Sequence, residues 1–383
     1  MTSHESSRAT PRHVPTVVIG AGQTGLSTAY FLSRAGHECL VVHEHGRVGD
    51  QWRQRYDSLR LNTPARWDSL PGTPFPAPKF SFPSGRDMGD YLEHYAQIHG
   101  IPVSNHTVVR RVERCPDGTY EVTTNRSVLH ADTVVVATGG ERHPNVPELA
   151  AKLDPGIRQI HSGHYHDPSQ LLPGRVLVVG ASQSGADLAL ECVRAGHETW
   201  LSGVVKAEVP VDIDSVRARL AAPVLWFLAN RVLTERTQWG RAIKPQIRAG
   251  GAPLIRVKRA DLDAAGVHRV ESRTTGVVDG RPSLADGTVL DVANVLWCTG
   301  FRQDFGFITP SVTGADGWPR DDGGIVPESP GLYFVGLLFQ RGFYSMLIGG
   351  AARDAEHIAR QILSRASGRQ ASGAGLRLPA AVN

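Results

Sequence analysis

The chain has 383 residues, of which 41% are hydrophobic and 20% are charged, which suits a globular protein of about two or three domains. The formal net charge is +4, but the basic residues form no long run, which argues against nucleic acid as a partner. The four cysteines are isolated, without a C-x-x-C pair, which excludes a dithiol centre and a zinc site. No apolar run reaches the ~18 to 20 residues of a membrane span, and a cytoplasmic location is expected.

The first predicted unit is a strand, a glycine-rich turn and a helix. The apolar strand Val17-Val18-Ile19 is followed by Gly20-Ala21-Gly22-Gln23-Thr24-Gly25. In dinucleotide-binding folds such glycines make the tight turn, let the backbone approach the pyrophosphate and pack the helix on the sheet. A second strand ends at Glu44, whose carboxylate would accept hydrogen bonds from an adenosine ribose. This context favours a dinucleotide site over a glycine-bearing loop without a ligand.

A long irregular segment, residues 46–85, follows this unit and is rich in Pro, Gly, Trp, Asp and Arg. A loop of this length in a compact domain is usually functional. Helical periodicity returns in residues 88–99, and short alternating runs then predict a small antiparallel insertion. The apolar strand that closes it runs into Ala137-Thr138-Gly139, where small residues would let the backbone pack close to a cofactor or to another domain.

A second strand, turn and helix begins at Arg175 and contains Gly180-Ala181-Ser182-Gln183-Ser184-Gly185. Residues 204–251 then look helical and loop-rich, as in a lid or a pocket-forming insertion. Within them the apolar stretch Ala221–Ala229 is interrupted by Pro223, which predicts core packing or pocket lining ahead of membrane contact. A later strand ends in Thr299-Gly300 and so repeats the pattern of Thr138-Gly139.

Ordered motifs over residues 15–365 resemble the flavin-containing monooxygenase family, which includes plant YUCCA-type enzymes and related bacterial flavoproteins. Besides the two turns and Glu44, the motifs are Gly49-Asp50-Gln51-Trp52-Arg53, Tyr56-Asp57-Ser58-Leu59-Arg60-Leu61-Asn62-Thr63-Pro64, Ala137-Thr138-Gly139, Trp297-Cys298-Thr299-Gly300-Phe301 and Gly331-Leu332-Tyr333-Phe334-Val335-Gly336. Most of these motifs are weak individually, and their order along the chain carries the resemblance.

The predicted fold is α/β, with two Rossmann-like dinucleotide-binding domains and the NADP domain inserted in the FAD domain, as in glutathione-reductase-like architectures. We expect the FAD domain to comprise residues 14–165 and 290–365. The NADPH domain would comprise residues 172–289, with the helical insertion at about 204–251. Residues 1–12 and 366–383 are polar or rich in small residues and are expected to be disordered tails.

The resemblance implies FAD at the first turn, NADPH at the second and oxygen chemistry where they meet. Family members reduce FAD by hydride transfer, form a C4a-(hydro)peroxyflavin from O2 and insert one oxygen atom into nitrogen, sulfur or activated carbon of a small substrate. The protein supplies position, polarity and a dry cavity, and neither a metal nor an acid-base triad is needed. The alternatives are an NAD(P)H-dependent reductase without oxygen insertion, a Baeyer-Villiger monooxygenase and a flavoprotein that regulates a partner. A homodimer is compatible with the sequence.

Asn62 matches an Asn that the family places near the flavin and nicotinamide, which makes it the catalytic candidate; alternatively its side chain stabilises the turn before Pro64. Trp52 and Arg53 match a loop that wraps the flavin, the alternative being a core Trp and a surface Arg. The cofactor-binding residues implied are Gly20, Gly22, Gln23, Thr24, Gly25, Glu44, Gln51, Trp52, Arg53, Leu61, Asn62, Thr138, Gly139, Gly180, Ser182, Gln183, Ser184, Gly185, Lys206, Thr299, Gly300 and Gly336.

The chain departs from the family pattern in two places. The motif F-x-G-x-x-x-H-x-x-x-(Y, F or W) keeps His161 and Tyr165, but its Phe is absent and an extra residue separates Gly156 from His161. Tyr165 in place of Trp leans away from Baeyer-Villiger chemistry. After the second domain's second strand the family often has an Arg for the 2'-phosphate, but here residues 203–205 intervene before Lys206. The preference for NADPH over NADH is therefore modest.

Overall fold

The computed structural model describes residues 12–374. The strands are β1 (Arg12–Ile19), β2 (Cys39–Val42), β3 (Val103–Ser104), β4 (Val109–Arg114), β5 (Tyr120–Thr124), β6 (Val128–Val136), β7 (His143–Pro144), β8 (Arg158–His161), β9 (Val176–Val179), β10 (Thr199–Ser202), β11 (His268–Val270), β12 (Thr274–Val278), β13 (Arg281–Leu284), β14 (Asn294–Trp297), β15 (Phe301–Arg302), β16 (Ile308–Thr309) and β17 (Leu332–Phe334). The α-helices are α1 (Gln23–Arg34), α2 (Asp50–Arg53), α3 (Gly85–Ile98), α4 (Gln183–Arg194), α5 (Val216–Phe227), α6 (Gln238–Arg248), α7 (Arg259–Ala265) and α8 (Ala351–Ala374).

The first domain is built around β1, which pairs in parallel with β2 on one side and with β6 on the other. The sheet order is β16-β4-β5-β6-β1-β2-β3, and β17 pairs with the second half of β6. Strands covered on both faces read as continuous apolar runs, and Val17 and Val18 are indeed fully buried. Helices α1 and α8 pack against each other on this sheet. The carboxyl ends of its parallel strands therefore meet at one edge, beside the first turn.

The second domain has a five-stranded parallel sheet in the order β11-β10-β9-β14-β8. All four residues of β9 and of β14 are buried, as expected for central strands of a covered parallel sheet. Helices α4 and α7 pack together on it. The chain thus folds into two α/β units of the same kind, as the sequence predicts.

Two predicted domain boundaries are wrong. Strand β8 pairs with β14, from Arg158 opposite Asn294 to His161 opposite Trp297. Both strands therefore belong to the second sheet, although residues up to 165 and from 290 onward were expected in the first domain. A four-residue strand has little local signal of its own, and its partner lies far along the chain. We therefore place the second domain between the two strands of the connector described next.

The connector between the domains is a short antiparallel ribbon of β7 and β15, with Pro144 opposite Phe301. Two side-chain hydrogen bonds between Asn145 and Thr299 hold its end. The Asn145 side-chain amide donates to the Thr299 carbonyl at 3.2 Å, and the Thr299 hydroxyl donates to the Asn145 carbonyl at 2.6 Å. The chain therefore enters and leaves the second domain at one place.

The predicted core packing of residues 221–229 is wrong for most of this stretch. Helix α5 continues through Pro223 and runs into a π-helical turn, Leu228–Val232. Val224, Leu225 and Phe227 are 61%, 59% and 59% exposed. Only one narrow side of α5 packs against the rest of the protein. The apolar pattern of the sequence does not show which part of such a helix is buried.

The predicted tails also need correction. Helix α8 extends to Ala374, so residues 366–374 are helical. Arg369 fastens this extension, since its guanidinium lies 3.2 Å from the Asp132 carboxylate and donates to the Gly118 carbonyl at 3.4 Å. Arg12 is the first residue of β1 and pairs with Leu129. The rest of the two predicted tails, residues 1–11 and 375–383, lies outside the described residues. Among residues 12–374, no helix is both long and apolar enough to cross a membrane.

Candidate functional site

The two glycine-rich turns have the same geometry. Gly20 and Gly180 have φ angles of +110° and +109°, a left-handed region in which side chains are strained. A Cβ on Gly20 would lie 2.5 Å from the Ala137 carbonyl oxygen, and one on Gly180 would lie 2.4 Å from that of Cys298. Each turn thus packs against the residue that precedes a Thr-Gly pair, Thr138-Gly139 in the first domain and Thr299-Gly300 in the second.

The third glycine of each turn packs the helix on the turn itself. A Cβ on Gly25 would lie 1.9 Å from the Gly20 carbonyl oxygen, and one on Gly185 would lie 1.8 Å from that of Gly180. No side chain fits at either position. The helices α1 and α4 consequently begin directly at the strand ends, with their N-terminal amides at the mouth of the turn, where an anion is stabilised.

The middle position of the first turn is open on the ligand side. A Cβ on Gly22 would make only an ordinary contact, 3.6 Å from the amide nitrogen of Gln51. The Gln51 side-chain oxygen is buried and has no hydrogen-bond partner among the described residues. A buried oxygen without a donor is uncommon in folded proteins. The first turn and Gln51 together fit a polar ligand that donates a hydrogen bond while its phosphates face the start of α1.

The neighbouring residues of α2 have different surroundings. The Arg53 guanidinium, 11% exposed, lies 3.1 Å from Asp50, 2.8 Å from Asp90 and 2.9 Å from Glu93. Trp52 is half-buried and packs against the core of the first domain. Arg53 therefore anchors α2 to α3 with its charge balanced inside the protein. A direct contact of Trp52 or Arg53 with a cofactor stays a prediction.

Glu44 lies in the loop two residues beyond β2, near the carboxyl edge of the first sheet. Its carboxylate is 2.9 Å from the guanidinium of Arg142, in the loop that follows Thr138-Gly139. At the same edge, a Cβ on Gly336 would lie 2.7 Å from the Thr24 hydroxyl. Glu44 and Gly336 thus both lie near the first turn, and an acidic residue at the end of the second strand suits a ribose.

The second turn is covered by a loop, residues 250–253. The Ser182 hydroxyl donates to the Ala252 carbonyl at 3.0 Å, and the Gln183 side-chain amide donates to the Pro253 carbonyl at 3.1 Å. The Lys206 ammonium donates to the Gly250 carbonyl at 2.7 Å. Three side chains predicted to bind the nicotinamide nucleotide therefore converge on neighbouring oxygen acceptors, as they would on phosphate oxygens.

Asn62 lies where the two domains meet. Its side-chain amide donates to the Gln183 side-chain oxygen at 2.9 Å, which joins the first domain's irregular loop to the first residue of α4. The neighbouring Leu61 is buried, and its carbonyl accepts from the Arg256 guanidinium at 3.1 Å. Sequence reasoning singled out Asn62 but missed Arg256, which has no motif of its own.

Two further contacts that sequence reasoning missed hold the same loop on α4. The Tyr56 hydroxyl donates to the Asp187 carboxylate at 3.0 Å, and the Ser58 hydroxyl donates to the Glu191 carboxylate at 3.1 Å. With Gln183, these acids are spaced four residues apart, so they form one stripe on α4. In the sequence, the polar stripe on this otherwise apolar helix is the signal that could have indicated these contacts. Burial raises the pKa of Asp187.

Asp68, close to Asn62 in the chain, is a buried carboxyl in this loop. Its side chain is inaccessible to solvent and accepts a hydrogen bond from the Thr63 hydroxyl at 2.5 Å. Its second oxygen has no partner among the described residues. Burial raises the pKa of Asp68 to about 7, because the charged form is poorly solvated there.

His161 and Tyr165 belong to the motif in which the chain departs from the family pattern, and His161 lies beside the connector. The Gly163 amide donates to His161 Nδ1 at 3.0 Å, and Nε2 lies 2.9 Å from the Gly300 carbonyl. Nε2 therefore carries the proton of a neutral ring, and burial lowers the pKa of His161. Tyr165 is fully buried in the second domain's core. His161 therefore supports the ribbon between the domains, whereas Tyr165 belongs to the core of the second domain.

The cysteines are not arranged for redox chemistry. All four are free, and Cys39, Cys192 and Cys298 are buried. Burial raises the pKa of Cys39 to about 11 and that of Cys192 to about 12, so these thiols are protonated and unreactive at neutral pH. Within the described ranges no group of His, Cys, Asp and Glu side chains is placed to hold a metal ion.

Two sheets whose central strands run parallel, each with a glycine turn at the carboxyl edge of those strands and joined by one ribbon, define a protein with two dinucleotide-binding domains. Family models described as pyridine nucleotide-disulphide oxidoreductase match residues 17–207 and 119–328. The chain belongs to this family, and its relatives make it a flavin-dependent oxidoreductase.

The relatives agree over nearly the whole chain. A CzcO-like oxidoreductase from Geobacillus kaustophilus is 35% identical over 92% of this chain and 99% of its own length. The probable indole-3-pyruvate monooxygenase YUCCA3 from Arabidopsis thaliana is 26% identical over 91% of this chain and 86% of its own. A flavin-containing monooxygenase structure from Stenotrophomonas maltophilia has a TM-score of 0.70 at 26% identity and covers 93% of this chain and 99% of its own. The expected resemblance is thus confirmed.

Proposed function

We propose that the protein is an NADPH-dependent flavin monooxygenase that transfers one oxygen atom from O2 to nitrogen, sulfur or activated carbon of a small organic substrate. The observation that carries this proposal is the hydrogen bond between Asn62 and Gln183. It brings the loop beside the first turn to the start of the helix at the second turn. Two cofactors held by these turns would meet near Asn62.

The first turn is the proposed FAD site. Its fit rests on the open approach at Gly22, the unpartnered oxygen of Gln51 and the carboxylate of Glu44. Bound FAD would supply the electron storage and oxygen activation that amino-acid side chains lack. The chain's own contribution is to seat the diphosphate on α1, accept hydrogen bonds from the ribose and keep α2 rigid through Arg53.

The second turn is the proposed NADPH site. Ser182, Gln183 and Lys206 present hydroxyl, amide and ammonium donors to one small region, which suits a diphosphate and a further phosphate. Asn62 would orient the nicotinamide and the reacting oxygen through its amide. Oxygen insertion into sulfur or nitrogen needs no protein thiol, in keeping with the buried cysteines.

The test is the stoichiometry of turnover. Purified protein reconstituted with FAD is given NADPH, O2 and a panel of amines, sulfides and ketones, and we expect one oxygenated product and one water for each NADPH oxidised. An enzyme that yields only hydrogen peroxide across the panel, and that turns over a quinone acceptor equally well without O2, would be a reductase instead. Asn62→Ala should lower product yield per NADPH, whereas Asn125→Ala, an exposed residue in the turn between β5 and β6, is the matched control.

A further inference from the structure

The residues 215–248 combine a concentrated positive charge with exposed apolar side chains. This segment carries seven basic residues and one acidic residue, Glu235, a net charge of +6, whereas the whole chain carries +4. The rest of the chain is therefore slightly acidic. Outside this segment the acidic residues outnumber the basic ones, so the chain's net positive charge comes from this segment.

The apolar side chains in this segment are uncovered. On α5 and the turn after it they are Leu220, Val224, Leu225 and Phe227, which are 76%, 61%, 59% and 59% exposed, and on α6 Trp239 is 76% exposed. We call these five side chains, together with Arg217, Arg219, Arg231, Arg236 and Arg241, the basic apolar face. All five arginines are exposed. Among residues 12–374 none of them forms an ion pair with a carboxylate.

The opposite side of the segment is firmly attached to the protein. The Trp226 ring stacks on Trp67 with centroids 5.3 Å apart and planes at 11°. Arg353 donates to both the carbonyl and the side-chain oxygen of Asn230 at 2.8 and 2.9 Å. Trp226 and Asn230, together with Ala218 and Ala222, are spaced four residues apart and form the side of the helix that faces the protein. The basic apolar face is thus held outward on a fixed support.

A second copy of the chain does not suit this face. A two-fold interface places the same patch on both subunits, so two segments of net charge +6 would face each other, and like charges across an interface disfavour association. An acidic nucleic acid would meet protruding leucine, phenylalanine and tryptophan side chains that contact no base or phosphate favourably.

We propose that the basic apolar face docks the protein on the surface of a bilayer rich in anionic lipid. Leu220, Val224 and Phe227 lie on one side of α5, in line with Arg217 before them and Arg231 after them, and Trp239 is exposed on α6. In the bilayer interface such apolar side chains lie among the acyl chains and the guanidinium groups at the headgroups. Each arginine near such a surface adds attraction that salt weakens. The docking is peripheral and independent of the proposed oxygenation.

The experiment is co-sedimentation of the full-length, FAD-loaded protein with vesicles of phosphatidylcholine that contain about 30% phosphatidylglycerol or none. We expect binding to the anionic vesicles to exceed binding to the neutral ones by about tenfold or more and to weaken as salt rises. A variant with Leu220→Ser, Phe227→Ser and Trp239→Ser should lose about tenfold in binding. A variant with Arg217→Gln, Arg231→Gln and Arg236→Gln should bind both vesicle types equally weakly.

Val278→Ser is the matched control, because Val278 is an exposed apolar residue on the β12–β13 hairpin, 47% accessible, and it should bind like the parent. Circular dichroism and flavin content check that each variant is folded. Anionic binding that survives the three serine substitutions would be simple electrostatic adhesion and would overturn the proposal. An absence of vesicle binding would also overturn the proposal. In that case a dimer that the serine substitutions dissociate, measured by sedimentation equilibrium, or an acidic protein partner would identify what covers this face instead.

Discussion

The two glycine turns share their backbone geometry but differ in what lies over them. The first is open at Gly22 and faces the unpartnered oxygen of Gln51, whereas the donors of the second are occupied by carbonyls of the loop 250–253. The first therefore resembles a site for a resident cofactor, and the second a site whose ligand must displace a loop. This difference matches a flavoenzyme in which one cofactor stays and the other exchanges.

The largest expected effect tests the shared geometry. Gly25→Ala places a Cβ 1.9 Å from the Gly20 carbonyl oxygen, so the start of α1 must shift, and we expect flavin content to fall by about tenfold or more and the free energy of unfolding by about 2–4 kcal/mol. Flavin absorbance per protein and urea denaturation measure the two quantities.

The matched change in the second turn, Gly185→Ala, brings a Cβ to within 1.8 Å of the Gly180 carbonyl oxygen. It should leave the flavin bound and slow flavin reduction by NADPH by about tenfold or more. Equal loss of flavin in the two variants would mean that the turns do not serve separate ligands. Gly22→Ala, which meets no atom closer than 3.6 Å, is the control for folding.

Lys206→Ala sharpens the contrast between the covered and the open turn. If Lys206 contacts the 2'-phosphate, the kcat/KM for NADPH divided by that for NADH should fall by about tenfold, the effect of losing one charge-assisted contact. Its hydrogen bond to the Gly250 carbonyl offers a second role in closing the loop. An equal change for both nucleotides would assign Lys206 to the loop alone.

The last prediction concerns the pH dependence of stability and tests Asp68, the buried carboxyl in the first domain's irregular loop. Burial raises the pKa of Asp68 from 3.8 to about 7, so the folded protein keeps a proton that the unfolded chain loses between about pH 4 and 7. Stability should therefore fall as pH rises through this range and level off above it.

Asp68→Asn keeps the acceptor for Thr63 without the charge and should remove about 2–4 kcal/mol of that fall. Thermal denaturation at pH 5 and pH 8 measures it. An unchanged difference between the two pH values would mean that Asp68 ionises normally. Asp117→Asn, an exposed carboxyl whose pKa is lowered by its hydrogen bonds to Thr119, is the control and should leave the slope between these pH values unaltered.

The parts of the fold that the sequence predicts are those with strong local rules. A buried strand followed by Gly20 and Gly25, or by Gly180 and Gly185, allows few other structures, because a side chain at these positions collides with backbone. Strand β8 was assigned to the wrong domain because its pairing with β14 is decided by a distant partner. The length of α8 depends on Arg369 reaching Asp132, a contact that no local pattern encodes.

The candidate site divides in the same way. Asn62 was found through a motif, whereas Asp187 and Glu191 act only because the loop 56–62 lies along α4. Arg53 fits the motif, yet its guanidinium is paired with three carboxylates of the first domain. The exposure of α5 was missed because an apolar helix looks the same in sequence whether or not something covers it.

At the end of the ribbon of β7 and β15, Asn145 and Thr299 are joined by two hydrogen bonds. A unit whose two ends lie side by side can be removed or exchanged without stretching what remains, since a short turn could join Pro144 to Phe301. The second domain is therefore suited to deletion or exchange. A first domain closed by such a link would keep its sheet, its glycine-rich turn and its proposed flavin site but would lose the proposed NADPH site.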